Sequence, residues 1–88
     1  MPARIAWNDG GEATVTVLDG DKVTLRSTRA WPPGSRPEGR LDPDARRFWM
    51  KVHGSHREDD GAFRVQGRLL DATRELRQAL AAALVASG

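Results

Sequence analysis

The stretch from Arg46 to Asp71 constrains the fold most, because it has the pattern of one long β-hairpin. Apolar and polar residues alternate along both arms, as they do in antiparallel strands with one buried face. Between the arms lies Asp60-Gly61, a dipeptide typical of two-residue hairpin turns. With that turn, the predicted pairs are Val52 with Leu69, His56 with Val65, and Glu58 with Phe63. The apolar side chains of both arms then face one side and predict a core: Phe48, Met50, Val52, Phe63, Val65 and Leu69.

The opposite side of this hairpin collects polar and basic side chains, and we name it the basic ribbon. Its members are Trp49, Lys51, His53, Arg57, Arg64, Gln66 and Arg68. Five of them form the predicted partner surface: Trp49, Lys51, His53, Arg64 and Arg68. Arginines beside an exposed aromatic ring can also hold single-stranded nucleic acid. The acidic residues 58–60 beside the ribbon and a net charge of only +2 favour an ordinary solvated face over that alternative.

The N-terminal half predicts a short strand at Arg4 to Trp7 and a second hairpin, with arms at 12–18 and 22–28. Ala13, Val15 and Val17 alternate toward one face of the first arm, as Val23 and Leu25 do in the second. A three-residue loop with a left-handed Gly20 brings these faces together. The predicted pairs are therefore Val15 with Val23 and Ala13 with Leu25.

The segment between the hairpins is rich in proline and glycine. Pro33-Gly34 suits a type II turn, and Trp31 is predicted to cover one end of the core. A short edge strand within 35–41, broken at Pro37, is followed by a turn at residues 42–44.

After Leu70 the hydrophobic period changes to that of a helix. Asp71 or Thr73 can cap it, and an apolar stripe follows at Leu76, Leu80, Ala83 and Leu84. The helix is expected to cover the sheet or a barrel mouth; lying in a membrane interface is an alternative. Five or six short antiparallel strands and one helix predict a mainly β fold, a small barrel formed by residues 1–88 as a single domain.

Composition narrows the function classes. The chain of 88 residues has no cysteine, which excludes disulfides and thiolate metal sites. No apolar run approaches the roughly 20 residues that span a bilayer. Residues 1–4 show no signal-peptide pattern, so we expect a cytoplasmic protein. The two histidines, His53 and His56, are predicted on different strand faces, and we find no catalytic constellation, cofactor motif or metal site. We therefore expect a protein that is not an enzyme.

The order of these segments resembles a PilZ-like domain. The resemblance rests on Ala30-Trp31-Pro32-Pro33-Gly34 before a strand, on Phe48-Trp49-Met50-Lys51-Val52, on residues 60–70 with their Gly67-Arg68-Leu69, and on the Thr73-Arg74-Glu75-Leu76 helix start. It covers residues 12–84 and implies a six-stranded antiparallel barrel closed by a C-terminal helix. It also implies a regulatory protein of bacterial motility, pilus or second-messenger pathways that acts through protein contacts.

PilZ domains generally bind cyclic di-GMP through an RxxxR motif and a [DN]xSxxG motif, so the resemblance implies this ligand as an alternative. Here Asn8 stands four residues after Arg4, and Asp21 and Thr24 stand at the serine and glycine positions that follow Asp19. Neither motif is intact. A non-standard set of residues would then bind the nucleotide: Arg4, Arg26, Arg29 and Asp19.

Overall fold

The fold is a closed six-stranded antiparallel barrel followed by one helix. The computed structural model describes residues 3–42 and 45–87, with helix side chains described as far as Leu84. The elements are β1 (Ala3–Trp7), β2 (Glu12–Asp19), β3 (Lys22–Ser27), β4 (Glu38–Leu41), β5 (Arg46–Arg57), β6 (Phe63–Leu69) and α1 (Arg74–Ser87). Around the barrel the order is β1-β2-β3-β6-β5-β4, with every neighbouring pair antiparallel. The predicted fold class is confirmed.

The alternation within the strands defines the core. Inward side chains of the long hairpin are buried as predicted, except that Phe63 at the strand end is only half-buried. The other strands and the helix complete the cluster with Ala3, Ile5, Trp7, Ala13, Val15, Val23, Leu25, Leu41, Leu76 and Leu80. Phe48 and Val65 therefore lie on the same side of the sheet, as the apolar pattern requires.

The turn between β5 and β6 differs from the prediction. Glu58 N–H donates to the carbonyl of Ala62 at 2.7 Å, which leaves a three-residue loop at 59–61. Gly61 takes the left-handed conformation there, with φ +88°, and the Asp60 carboxylate accepts a hydrogen bond from Ala62 N–H at 3.1 Å. That side-chain bond favours the longer loop. The predicted pairs were wrong: Arg57, not Glu58, lies opposite Phe63, and the further pairs are Ser55 with Val65, His56 with Arg64 and Met50 with Leu69.

A β-bulge at His53 shifts the strand pairing in the same hairpin by one further residue. Val52 pairs with Gly67 and Gly54 with Gln66, so His53 is the extra residue. A Cβ on Gly67 would collide with the carbonyl oxygen of Lys51, which explains why the bulge faces a glycine. After the bulge, each residue of β5 points to the side opposite to the one that unbroken alternation predicts. Arg57 therefore lies on the side of Phe63 rather than on the basic ribbon.

The β2–β3 hairpin contains a second unpredicted bulge. Its loop has two residues, Gly20 and Asp21, and the register shifts at Thr16. The predicted pairs were wrong; the structure pairs Val15 with Leu25 and Ala13 with Ser27. Because the bulge exchanges the faces, Val17 points outward with 54% of its surface exposed, and Leu18 packs against the core instead.

The strand predicted at a sheet edge is observed as β4, one of the six paired strands of the barrel wall. β4 pairs with both β1 and β5, so it closes the barrel and the edge assignment was wrong. The preceding residues continue the contact with β5 through Gly34 N–H to the carbonyl of Val52 (2.8 Å), Val52 N–H to the carbonyl of Ser35 (2.9 Å) and Met50 N–H to the carbonyl of Pro37 (3.3 Å). The Pro33-Gly34 turn is confirmed, with Gly34 at φ +88° and Ser35 N–H bonded to the carbonyl of Pro32. The predicted turn at 42–44 falls partly outside the described residues.

The two ends of the barrel are covered by different segments. Thr73 Oγ1 accepts a hydrogen bond from Leu76 N–H at 3.1 Å and caps α1, whose buried Leu76 and Leu80 join the core beside β1, β2 and β5. At the opposite end Trp31 packs edge-on against Trp7, with ring centroids 5.5 Å apart. Both predicted covers, the helix and Trp31, are confirmed.

Candidate ligand-binding face

The outer surface of β3, β6 and β5 gathers most of the polar side chains singled out in the sequence. We name it the β3–β6–β5 face. Outward side chains on adjacent strands form rows across the sheet, because directly paired residues point to the same side with Cβ atoms about 5 Å apart. The described register therefore fixes which side chains lie together.

One row contains cations from four segments of the chain. Lys22 on β3 pairs with Arg68 on β6, and Arg68 pairs with Lys51 on β5. Arg36 continues the row, since the bonds that link Ser35 to Val52 and Pro37 to Met50 place it beside Lys51. Arg36 is exposed, whereas Pro37 is buried, so its side chain points outward. We name Lys22, Arg68, Lys51 and Arg36 the cationic row.

Within residues 3–42 and 45–87, no carboxylate pairs with the cations of this row. Among the residues that the structure describes, none of the four cations forms an ion pair. Asp19 is the cross-strand partner of Lys22 and ends the row on β2, but the two side chains are not within ion-pair distance. Like charges placed directly opposite one another destabilise a sheet. The row therefore presents concentrated positive charge to solvent at a cost in stability.

A second row on the same strands is neutralised. Arg26 pairs across the sheet with Arg64, and Arg64 with His56. Here the β5–β6 loop and its flank supply carboxylates: Arg26 forms an ion pair with Asp60, and Arg64 lies 3.9 Å from Glu58. We name Arg26, Arg64 and His56 the compensated row.

Between the two rows lies a groove of about 350 Å³. Its lining residues are Lys22, Val23, Thr24, His53, Gln66 and Gly67. Thr24 and Gln66 are uncharged cross-strand partners that can donate and accept hydrogen bonds. The bulge brings His53 to the rim, so both histidines lie on the outer side, and the prediction of different faces was wrong.

Trp49 lies on the outer side of β5, next to Lys51, and is held in place on several sides. The Arg47 guanidinium lies 4.7 Å from the centre of its ring, and its Nε1 donates to the carbonyl of Arg36 at 3.2 Å. Arg47 is in turn paired with Glu38. A second groove of about 340 Å³ adjoins the ring, lined by Arg46, Arg47, Trp49, Leu70, Asp71, Thr73 and Leu76.

The structure brings the predicted partner surface together on one side of β5 and β6. His53 lines the groove, Lys51 and Arg68 are cross-strand partners in the cationic row, and Arg64 lies in the compensated row. Trp49 lies two residues before Lys51 on β5. Sequence reasoning missed Lys22 and Arg36 as members of this surface. Their outward position follows from local patterning, but their adjacency depends on pairing between distant segments.

The residues proposed for the nucleotide are only partly brought together. Arg4 on β1 pairs with Thr14, which pairs with Arg26, so these two arginines share a row two strands apart. Arg29 instead donates to the carbonyls of Asp9 and Gly10, at 3.2 and 3.3 Å, and stacks on Trp31. Asp19 lies at the β2–β3 turn, at the end of the barrel opposite Arg29.

In the described part of the chain, no three histidine, aspartate or glutamate side chains come together as a metal site. The helix that the structure describes is too short and too polar to cross a bilayer. Comparisons with protein-family models, curated proteins and solved structures found no match.

Proposed function

We propose that the protein is a non-enzymatic, PilZ-like regulatory module that binds a protein partner on its β3–β6–β5 face. The six-stranded barrel with a C-terminal helix is the architecture that the resemblance implies. Both barrel ends are covered by the chain's own side chains, and the grooves described lie on the outside. Work in bacterial motility, pilus or second-messenger regulation in the cytoplasm is part of this proposal and follows from the resemblance alone.

One observation carries the proposal. All five residues of the predicted partner surface lie on the outer side of two adjacent strands, and Trp49 is held there with its ring oriented by Arg47 and Arg36. A surface tryptophan in a fixed orientation supplies contact area at a low entropy cost, and tryptophan and arginine are enriched at binding hot spots.

Affinity capture with matched variants tests this proposal. The wild-type protein should retain a defined partner that Trp49→Ala loses, whereas Glu12→Ala, which trims an exposed side chain where β2 pairs with β1, off the face, should retain it. Circular dichroism should show both variants folded. Capture of the same proteins by wild type and by Trp49→Ala would contradict the proposed surface.

Cyclic di-GMP binding is a second candidate, favoured by the shared row of Arg4 and Arg26. The residues proposed for it are Arg4, Arg26, Arg29 and Asp19. Titration into ¹⁵N-labelled protein should then shift the amides near Arg4 and Gly20, and Arg4→Ala should remove the shift. Unchanged spectra at high micromolar nucleotide would remove this candidate.

A further inference from the structure

We infer that the cationic row binds an acidic peptide segment of the partner, a statement that rests on the proposed function. The row consists of Lys22, Arg68, Lys51 and Arg36. With neighbouring strands about 4.8 Å apart, four cations span roughly 14 Å across the sheet. Two or three carboxylate or phosphate groups of a short extended peptide fit that length, since alternate residues of a strand lie about 6.8 Å apart.

The difference between the two rows indicates that the uncompensated positive charge of the cationic row serves to bind a ligand. Both rows cross β3, β6 and β5, yet Arg26 and Arg64 each have a carboxylate from the β5–β6 loop or its flank. The four cations of the cationic row have none among the described residues. An incoming anion would relieve the repulsion between them, so that binding and folding stability are linked.

The groove beside the row suits a peptide main chain. Thr24 and Gln66 offer uncharged hydrogen-bonding groups, and the extra residue of a β-bulge is left unpaired in the strand ladder. A segment that anchors its acidic side chains on Lys51 and Arg68 would bring its backbone over these groups.

Nucleic acid fits this face less well. Among the described aromatic residues Trp49 alone lies on the outer side here, and Arg47 already covers one side of its ring. Base stacking is the main attraction for single strands apart from charge, and here only this one partly covered ring is present for it. Carboxylates also limit the basic area, with Asp60 and Glu58 beyond one edge and Glu38 beside Trp49. A long phosphate backbone would meet all three, whereas a short peptide bound along the cationic row would stay clear of Asp60 and Glu58.

Fluorescence anisotropy with labelled oligoglutamate tests the inference. The 88-residue protein should bind it saturably, and the affinity should fall steeply with added salt. Lys51→Glu with Arg68→Glu should weaken binding by about tenfold or more. Arg40→Glu with Arg57→Glu changes the net charge equally but lies off the row, and it should change the affinity by less than about twofold.

Two further probes identify the ligand. A phosphoserine peptide of the same charge distinguishes phosphate from carboxylate as the preferred anion, and tight binding of either peptide supports the inference. Single-stranded oligothymidylate that binds more tightly than both peptides would overturn it. So would equal loss of affinity in the row variant and in the off-row control.

The outcomes separate this inference from the proposed function. A partner whose capture depends on Trp49 but survives Lys51→Glu with Arg68→Glu would leave the proposed function standing and overturn the role of the cationic row. Peptide binding that the row variant abolishes, without any Trp49-dependent partner, would support the row and count against the proposed partner surface. Urea unfolding of each variant checks that lost binding is not lost folding.

Discussion

The cationic row and the compensated row differ more than their residue types suggest. Both place basic side chains on the same three strands, at the same spacing. Arg26 and Arg64 have Asp60 and Glu58 beside them because the β5–β6 loop and the strand end next to it are acidic. The cationic row lies toward the other end of β6, where Asp19 pairs with Lys22 across the sheet but lies outside ion-pair distance.

The difference separates charges that serve the fold from charges that are free for a ligand. An arginine with a carboxylate neighbour is compensated by the chain itself, and a new anion gains little there. An uncompensated row costs stability, by about 0.2–1 kcal/mol for each directly opposed pair in typical sheets. Variants that alter either row, or the bulge between them, test this difference between compensated and uncompensated charge.

The largest effect is expected at Gly67, which faces the bulge between the rows. Gly67→Val would place side-chain atoms against the Lys51 carbonyl and Met50, so the strands must separate and the rows lose their register. We expect destabilisation by about 3 kcal/mol or more in urea unfolding, at the upper end for overpacked cores. Gly54→Val is the matched control in the same hairpin, since an added Cβ there meets nothing within 4 Å. Equal stability of the two variants would contradict the described bulge.

Asp60→Ala should have the next largest effect, because it removes the carboxylate that compensates Arg26. It also removes the acceptor for Ala62 N–H, a bond that stabilises the loop. We expect a loss of about 1 kcal/mol in the free energy of unfolding. Asp59→Ala, at the neighbouring exposed position, should change stability much less. The compensated row of the Asp60 variant should also gain affinity for oligoglutamate, which anisotropy would show.

Arg68→Gln should act in the opposite direction. Arg68 lies between Lys22 and Lys51, so its neutralisation removes two repulsive pairs. We expect the variant to be more stable by about 0.5 kcal/mol at low salt, and this gain should shrink as salt screens the charges. Arg64→Gln is the comparison in the compensated row and should be neutral or slightly destabilising. A stability loss in Arg68→Gln at low salt would show that the cationic row is not under repulsive strain.

Much of the fold follows from local patterns in the sequence. Alternation identified the inward residues of the long hairpin, and the four-residue spacing of Leu76 and Leu80 identified the buried side of the helix. The Thr73 cap and the Pro33-Gly34 turn also follow from residue preferences that act over a few positions. These features depend only on near neighbours along the chain.

The registers could not be derived in the same way. A bulge adds one residue without changing the apolar content of a strand, so Val17 and Arg57 were assigned to the wrong side. The predicted turns assumed that the pairing of each hairpin continues without a bulge, and each bulge shifted the pairing by one residue. A glycine facing inward at position 67 was a usable signal for the bulge at His53, because a glycine in a strand interior often marks a bulge or a close approach of another backbone.

The candidate site was predictable only in part for a related reason. The basic ribbon belongs to one hairpin, so local alternation found all its members except that it wrongly included Arg57 beyond the bulge. Lys22 and Arg36 join it through the pairing of β3 with β6 and of residues 34–37 with β5. These contacts depend on closure of the barrel, which no local pattern specifies. The separation of compensated from uncompensated charge follows from the same closure.

Lys22→Gln should have the smallest effect, and it tests whether the rows act through pairs or through overall charge. Lys22 lies between Arg68 on one side and Asp19 on the other. Its neutralisation removes one repulsive and one attractive neighbour, so the free energy of unfolding should change by no more than about 0.3 kcal/mol. Arg68→Gln lowers the net charge equally, yet we expect it to stabilise measurably. If both variants gain the same stability in low-salt urea titrations, net charge governs the effect and the pairwise contrast between the rows fails.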